Sequence, residues 1–151
     1  MKKTKGLIFD FNRTLYNPDK KILVENAEKI LIKLFNMDYK MCLLSMESDS
    51  DRSLQITELD LNKYFIFIKI ISGNKVIKDF QDCIDKMNLT ASQIAVIGDR
   101  IEGEITLGNI IGMKTIWYKQ GKFSNRIPQK NEEYPNYTIS DLKKVLGIIK
   151  Q

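Results

Sequence analysis

The chain contains no histidine among its 151 residues. That absence removes Ser-His-Asp and Cys-His triads, imidazole metal ligands and histidine proton shuttling. Any catalysis has to run on carboxylates, hydroxyls, lysines and a hard metal ion held by oxygen. Cysteine is nearly as scarce. Cys42 and Cys83 are the only two; both sit within apolar patterns and read as reduced core residues rather than a disulfide. Long apolar runs are missing as well: stretches such as Phe65–Ile71 fall far short of the roughly 20 residues a membrane span needs. The basic start, Met1-Lys2-Lys3-Thr4-Lys5, leads into a short strand-like run ending in an Asp rather than into a signal-peptide core. The expectation is a cytoplasmic protein with no membrane contact. No repeat, low-complexity tract or Pro/Gly-rich linker divides the chain, and its length suits one domain over residues 1–151.

What is present is ordinary globular composition, 43% hydrophobic and 28% charged, which excludes disordered and fibrous classes. The net charge of +5 raises the question of nucleic acid. However, the cations are mostly scattered lysines, the arginines are Arg13, Arg52, Arg100 and Arg126, and no aromatic-basic interleaving accompanies them. A solvated lysine-rich surface is the better reading, and its field would draw in a small anionic substrate.

The pattern along the chain is alternation. Strand-like runs occur at Gly6–Phe11, Lys40–Ser45, Phe65–Ile71, Ile94–Ile97 and Thr115–Tyr118, with a weaker one at Tyr137–Ile139. Between them, Ala27, Ile30, Leu31 and Leu34 recur at helical spacing, as do Phe80, Cys83, Ile84 and Met87. Leu142, Val145, Leu146 and Ile149 form a last stripe, with Ser140 as its expected N-cap. This order predicts an α/β, doubly wound, Rossmann-like parallel sheet of five to six strands with helices on both faces. Such sheets bind ligands beyond the carboxyl ends of their strands, near the point where strand order reverses. The residues to inspect are therefore 10–14, 45–49, 72–75 and 98–104.

The first of these segments reads Asp10-Phe11-Asn12-Arg13-Thr14-Leu15, and in an extended chain positions 10 and 12 project to one side. The second strand ends in Cys42-Leu43-Leu44-Ser45, and a serine there is uninformative by itself. The third segment is Gly73-Asn74-Lys75, with Lys78 as a second candidate lysine. The fourth is Gly98-Asp99-Arg100-Ile101-Glu102-Gly103-Glu104, where Gly98 is expected to let the chain turn tightly. Four such pieces, in order and each after an expected strand, resemble the motifs of the haloacid-dehalogenase (HAD) superfamily of hydrolases, from about residue 6 to residue 123.

The resemblance implies a phosphatase in which Asp10 attacks the substrate and forms a covalent aspartyl intermediate. It implies that the Ser45 hydroxyl contacts the transferring phosphoryl group and that Lys75 neutralises its charge. It also implies a magnesium ion held by Asp10, Asp99 and the backbone carbonyl of Asn12, with Arg100 and Glu104 behind them. Thr14, Met46 and Glu47 would line the substrate. A phosphorylated small molecule, or an exposed phosphate on a macromolecule, is the implied partner.

Two departures qualify the resemblance. Family phosphatases carry an Asp where this chain has Asn12, and an amide cannot protonate a leaving group and recover the proton. Slow turnover, an acid borrowed from Glu47 or Asp49, a silenced binding or regulatory module, and a dehalogenase-type displacement all remain open. A receiver domain does not fit, because the third strand ends in Ile71-Ser72-Gly73 without an acid. The second departure is size: Asp10 to Ser45 and Ser45 to Lys75 leave no room for a cap domain. By resemblance, capless members act on macromolecules or borrow a lid from a neighbouring subunit, which leaves a homo-oligomer open. Leu15–Lys21 is the one short flap.

Overall fold

Leu7, Ile8 and Phe9 form the middle of the protein, and their alternating directions define its two cores. In the computed structural model, which describes residues 2–47 and 51–151, β1 (Gly6–Phe9) is wholly buried. It pairs in parallel with β4 (Lys40–Met46) on one side and β6 (Ile94–Gly98) on the other. The sheet has six strands in the order β5-β4-β1-β6-β7-β8, with β5 at Phe67–Ile71, β7 at Lys114–Tyr118 and β8 at Tyr137–Ile139. All its pairings are parallel.

Helices cover both faces, as the alternation requires. Leu7 and Phe9 pack with α1 (Ala27–Asn36), α2 (Arg52–Glu58) and α5 (Val145–Ile149). Ile8 packs on the opposite face with Phe80, Cys83, Ile84 and Met87 of α3 (Ile77–Met87). The doubly wound expectation is met, and β8 completes the sixth strand. Cys42 and Cys83 are free and buried in the α3 core. The Cys42 thiol sits well above its ordinary pKa because it shares a hydrogen bond with Cys83 and is buried.

Several boundaries differ from the sequence reading. The first strand ends at Phe9 rather than Phe11, because the chain turns into a hairpin of β2 (Tyr16–Asn17) and β3 (Ile22–Leu23). The last helix is capped one residue later than expected: the Asp141 side chain, not Ser140, accepts from the Lys143 N–H at 3.0 Å. α2 was not anticipated, since Arg52-Ser53-Leu54-Gln55-Ile56-Thr57-Glu58 buries only Arg52 and Ile56 and shows little apolar stripe. Among the described residues no domain is inserted after the hairpin or after β5, and no helix is long and apolar enough to cross a membrane.

Strand order reverses at β1. The chain first runs outward through β4 and β5, then crosses back to β6 and outward through β7 and β8. Phe9 is in register with Ile97, so the residues following β1 and β6 emerge side by side at the reversal point. α4 (Thr106–Ile111) returns from that point and packs closely on the sheet through Gly108. A Cβ there would lie 2.7 Å from Val96 Cγ1 and 2.8 Å from Thr115 Cγ2. Gly147, inside α5, has nothing within 4 Å of the same position. The same substitution therefore has opposite signs at the two sites. Gly108→Ala is expected to cost about 1–3 kcal/mol by overpacking, and Gly147→Ala to gain up to about 1 kcal/mol through helix propensity. Urea unfolding midpoints measure both; a stable Gly108→Ala protein would contradict the packing.

Candidate active site

Asp10 is the first residue after β1, and its backbone N–H donates to the Ile97 carbonyl of β6 at 3.1 Å. The hydrogen-bonded ladder thus delivers its carboxylate to the reversal point, where it is only 7% exposed. Lys75, from the junction between β5 and α3, reaches across β4 and donates its Nζ to Asp10 Oδ1 at 2.7 Å. The same ammonium is also hydrogen-bonded to Glu104. Thr14 is fully buried and donates its hydroxyl to Asp10 Oδ2 at 3.4 Å. Lys75 rather than Lys78 stands at this position. Lys78 is exposed and pairs with Asp82 on the outer face of α3.

Asp99 follows β6 and is 1% exposed. Its backbone carbonyl is held by the Trp117 indole N–H at 2.9 Å. Carboxylate oxygens of Asp10, Asp99 and Glu104 all lie within 4.8 Å of one another. Three buried carboxylates therefore crowd together, and one ammonium meets two of them, Asp10 and Glu104. Burial, and then the neighbouring Asp10 and Glu104, push the Asp99 carboxyl up to about 8. Glu104 is raised mainly by burial, with Lys75 opposing. Burial works against the Lys75 charge, but Asp10 and Glu104 overcome it and hold its pKa above the ordinary lysine value. Asp99 Oδ2 and Glu104 Oε2 are buried without a hydrogen-bond partner among the described residues. An all-oxygen, anionic donor set with free lone pairs suits a hard divalent cation.

Glu104 was expected to stand behind this site and instead lies in it. Its side chain arrives from a π-helical turn over Ile101–Ile105 and fills the space where a Gly98 side chain would be. A Cβ on Gly98 would come within 2.5 Å of Glu104 Cγ. Gly98 is therefore needed for close approach rather than for the tight turn anticipated from sequence.

The remaining candidates are placed as follows. Asn12 bridges to Tyr16 at the base of the hairpin, and its Oδ1 is buried without a partner among the described residues. Ser45 is fully buried and gives its hydroxyl to the Met46 carbonyl at 3.1 Å. Glu47 is exposed, with its N–H on the Ile71 carbonyl at 2.7 Å. Asp49 lies outside the described residues. Met46, Asn74, Lys75, Arg100, Glu102 and Glu104 line a cleft of about 180 Å³. A larger cavity of about 510 Å³ lies between the hairpin and the ends of β7 and β8, lined by residues including Arg13, Asn17, Tyr118 and Asp141. The titratable cluster borders the smaller cleft, so size is a poor guide to the chemistry here.

Sequence reasoning missed Arg52. It is 4% exposed, its guanidinium carbon lies 4.7 Å over the Phe11 ring, and its Nε donates to the Met46 carbonyl at 3.3 Å. Phe11 stacks in turn on Tyr16 at 5.0 Å. Burial lowers the pKa of Arg52 and the nearby Asp10 opposes that shift. An arginine opening a weakly patterned helix carries no signal of this in sequence.

Comparison with known proteins agrees with the architecture. A family described as HAD-hydrolase-like matches residues 78–145. A glyceraldehyde 3-phosphate phosphatase of Pyrococcus furiosus is 25% identical over 132 residues, which is 85% of this chain and 55% of that protein. The chain thus spans about half the length of that relative. The HAD-hydrolase YfnB of Bacillus subtilis, solved with magnesium, superposes with a TM-score of 0.81 at 12% identity, covering 99% of this chain and 100% of that one. An uncharacterised protein of Listeria monocytogenes serotype 4b gives a TM-score of 0.74 at 21% identity, with 97% and 98% covered. In its sheet order, and over residues 78–145 in its sequence, the chain is similar to HAD-hydrolase-like proteins, and it shares their fold with no domain inserted among the described residues.

Proposed function

We propose that the chain is a magnesium-dependent phosphohydrolase in which Asp10 is the nucleophile. The observation that carries this reading is the buried cluster of Asp10, Asp99 and Glu104 around the Lys75 ammonium at the reversal point of the sheet. An Asp10 oxygen attacks the phosphorus of a phosphate monoester. The new O–P bond makes an acyl phosphate as the bond to the leaving oxygen breaks, and that oxygen takes its proton from solvent. A water then attacks the phosphorus, returning the carboxylate and releasing inorganic phosphate.

Each side chain has a part in this reaction. Lys75 aims one oxygen of Asp10, and Thr14 steadies the other. Ser45, at the end of β4, offers a hydroxyl to the phosphoryl group. Asp10, Asp99 and the Asn12 carbonyl hold the ion, with Glu104 and Arg100 beside them and Met46 and Glu47 toward the substrate. Magnesium, when bound, supplies positive charge against the phosphoryl oxygens. The small cleft, about 180 Å³, and the phosphatase relatives support a small phosphorylated substrate, handled by one domain.

Asn12 sets the limit of the reaction. Without an acid at that position, substrates with good leaving groups such as aryl phosphates are favoured. The same residue favours a second reading, a module that binds a phosphoryl group without turning it over. Asn12→Asp distinguishes the two. It is expected to raise turnover of an alkyl phosphate by ~10² to 10⁴; no gain in the variant, with magnesium bound, would favour the silent module.

The nucleophile is tested with beryllofluoride and magnesium. The wild type should show a bound fluorine NMR signal that Asp10→Asn abolishes, and no bound signal from the wild type would refute the assignment. The ion is tested by melting temperature. Magnesium should raise it in the wild type, because a ligand that binds only the folded state stabilises it. Asp99→Asn should instead raise the melting temperature of the metal-free protein and remove the magnesium response. The folded-state pKa of Asp99, about 8, lies above the unfolded value. Its contribution to stability is therefore fully present below about pH 4 and is lost as pH rises toward 8. The metal-free gain from Asp99→Asn should accordingly grow across that window; a gain that shrinks with pH would overturn the electrostatic account.

A further inference from the structure

We propose that Arg100 is a specificity-determining residue that binds a second oxyanion, a carboxylate or another phosphate, on the leaving group of the substrate; this rests on the phosphohydrolase reading above. The observation is a guanidinium fixed in the cleft wall with no full partner. Arg100 follows Asp99 in extended conformation, just before the π-helical turn. Its guanidinium carbon lies 4.7 Å over the Phe123 ring, which sets its plane. Its Nε is buried without a hydrogen-bond partner among the described residues. The carboxylate that approaches it, Glu102, is 4.0 Å from its terminal nitrogen, beyond hydrogen-bonding reach.

The other cations of this region are committed. Lys75 is held by Asp10 and Glu104. Arg52 donates to the Met46 carbonyl and to Gln55 at 2.9 Å. Arg126 pairs with Glu133 at 2.7 Å and reaches toward Glu102 at 3.8 Å. Glu102, which is half exposed, is thus drawn between two arginines and satisfies neither. A purely structural arginine meets its donors inside the protein, because a buried unpaired donor is costly. Arg100 instead keeps a planar, permanently charged fork on the wall that also carries Lys75 and Glu104. A ligand whose phosphoryl group meets the Lys75 ammonium would have this wall beside its leaving group. Such a fork matches the two oxygens of a carboxylate or phosphate.

The test is calorimetric and needs no turnover. Three non-hydrolysable probes are titrated into the full chain with saturating magnesium: ethylphosphonate, phosphonoacetate and methylenediphosphonate. The wild type should bind one or both of the doubly anionic probes at least about tenfold more tightly than ethylphosphonate, the scale of a charge-assisted bidentate contact. An advantage for phosphonoacetate marks a carboxylate substrate, and one for methylenediphosphonate marks a second phosphate. Arg100→Met should erase the advantage, weakening the doubly anionic probes at least about tenfold more than ethylphosphonate, whereas Glu102→Gln, which releases Arg100, should enlarge it. An advantage that survives in Arg100→Met belongs to magnesium chelation and overturns the proposal, as does an equal loss for all three probes. If ethylphosphonate binds and the wild type does not discriminate, this inference alone fails. If none of the three binds, the phosphohydrolase reading fails with it.

Discussion

Three carboxylates buried around one ammonium are the constraint on which the rest of this structure depends. An isolated buried charge costs several kcal/mol, and a buried pair is tolerated only when its geometry and hydrogen bonds are complete. Here Lys75 satisfies one oxygen of Asp10 and one of Glu104, while Asp99 is left to neighbours of its own sign. At neutral pH the metal-free cluster keeps a proton on Asp99, whose carboxyl is pushed up to about 8, and a bound cation would take that proton's place. A fold selected for stability alone would replace such a cluster with apolar side chains. Its persistence at the reversal point of the sheet is the physical sign of a functional site, and its all-oxygen donor set suits a hard cation.

The surrounding fold holds these charges in place. Parallel register sets Asp10 beside the end of β6, and Trp117 anchors the backbone of Asp99 from β7. Gly98 leaves a hollow that only the Glu104 side chain fills. Gly108 lets α4 lie close against β6 and β7, which keeps the π-helical turn carrying Glu104 over the strand ends. None of these supporting residues is charged, yet each fixes where a charge sits.

The doubly wound sheet and the strand-end positions of Asp10 and Asp99 were legible in the sequence, because each follows from a periodicity or from a residue type at a strand end; the approach of Lys75 was expected only from the family resemblance. Glu104 in the cluster was not legible: its reach depends on a π-helical turn, and no spacing rule announces one. The reason for Gly98 was misread for the same cause, since close approach by a side chain six residues later leaves no local pattern. Arg52 and α2 were hidden by a helix whose polar face dominates its sequence. The Asp141 cap displaced Ser140 because two adjacent residues can both cap, and only the backbone path decides between them. The contact of Cys42 with Cys83 joins residues 41 apart in sequence, which only the packing of α3 on β4 reveals.

No cap is inserted among the described residues. Aspartyl chemistry benefits from restricted water, and a bare core has no lid to exclude it. In this chain the carboxylate proposed as nucleophile is shielded from within. Asp10 is 7% exposed, and the hairpin beside it is locked by a stack in which Arg52 lies on Phe11 and Phe11 lies on Tyr16. The left-handed Arg13, φ 63°, makes the sharp turn that brings the hairpin back. Shielding by fixed side chains keeps water from the carboxylate, but unlike a closing lid it cannot respond to the substrate. Discrimination then has to come from groups already standing on the cleft wall. A residue that selects an anionic substrate is a donor whose hydrogen-bonding capacity is unspent before the substrate arrives, and on that wall the Arg100 Nε meets this condition.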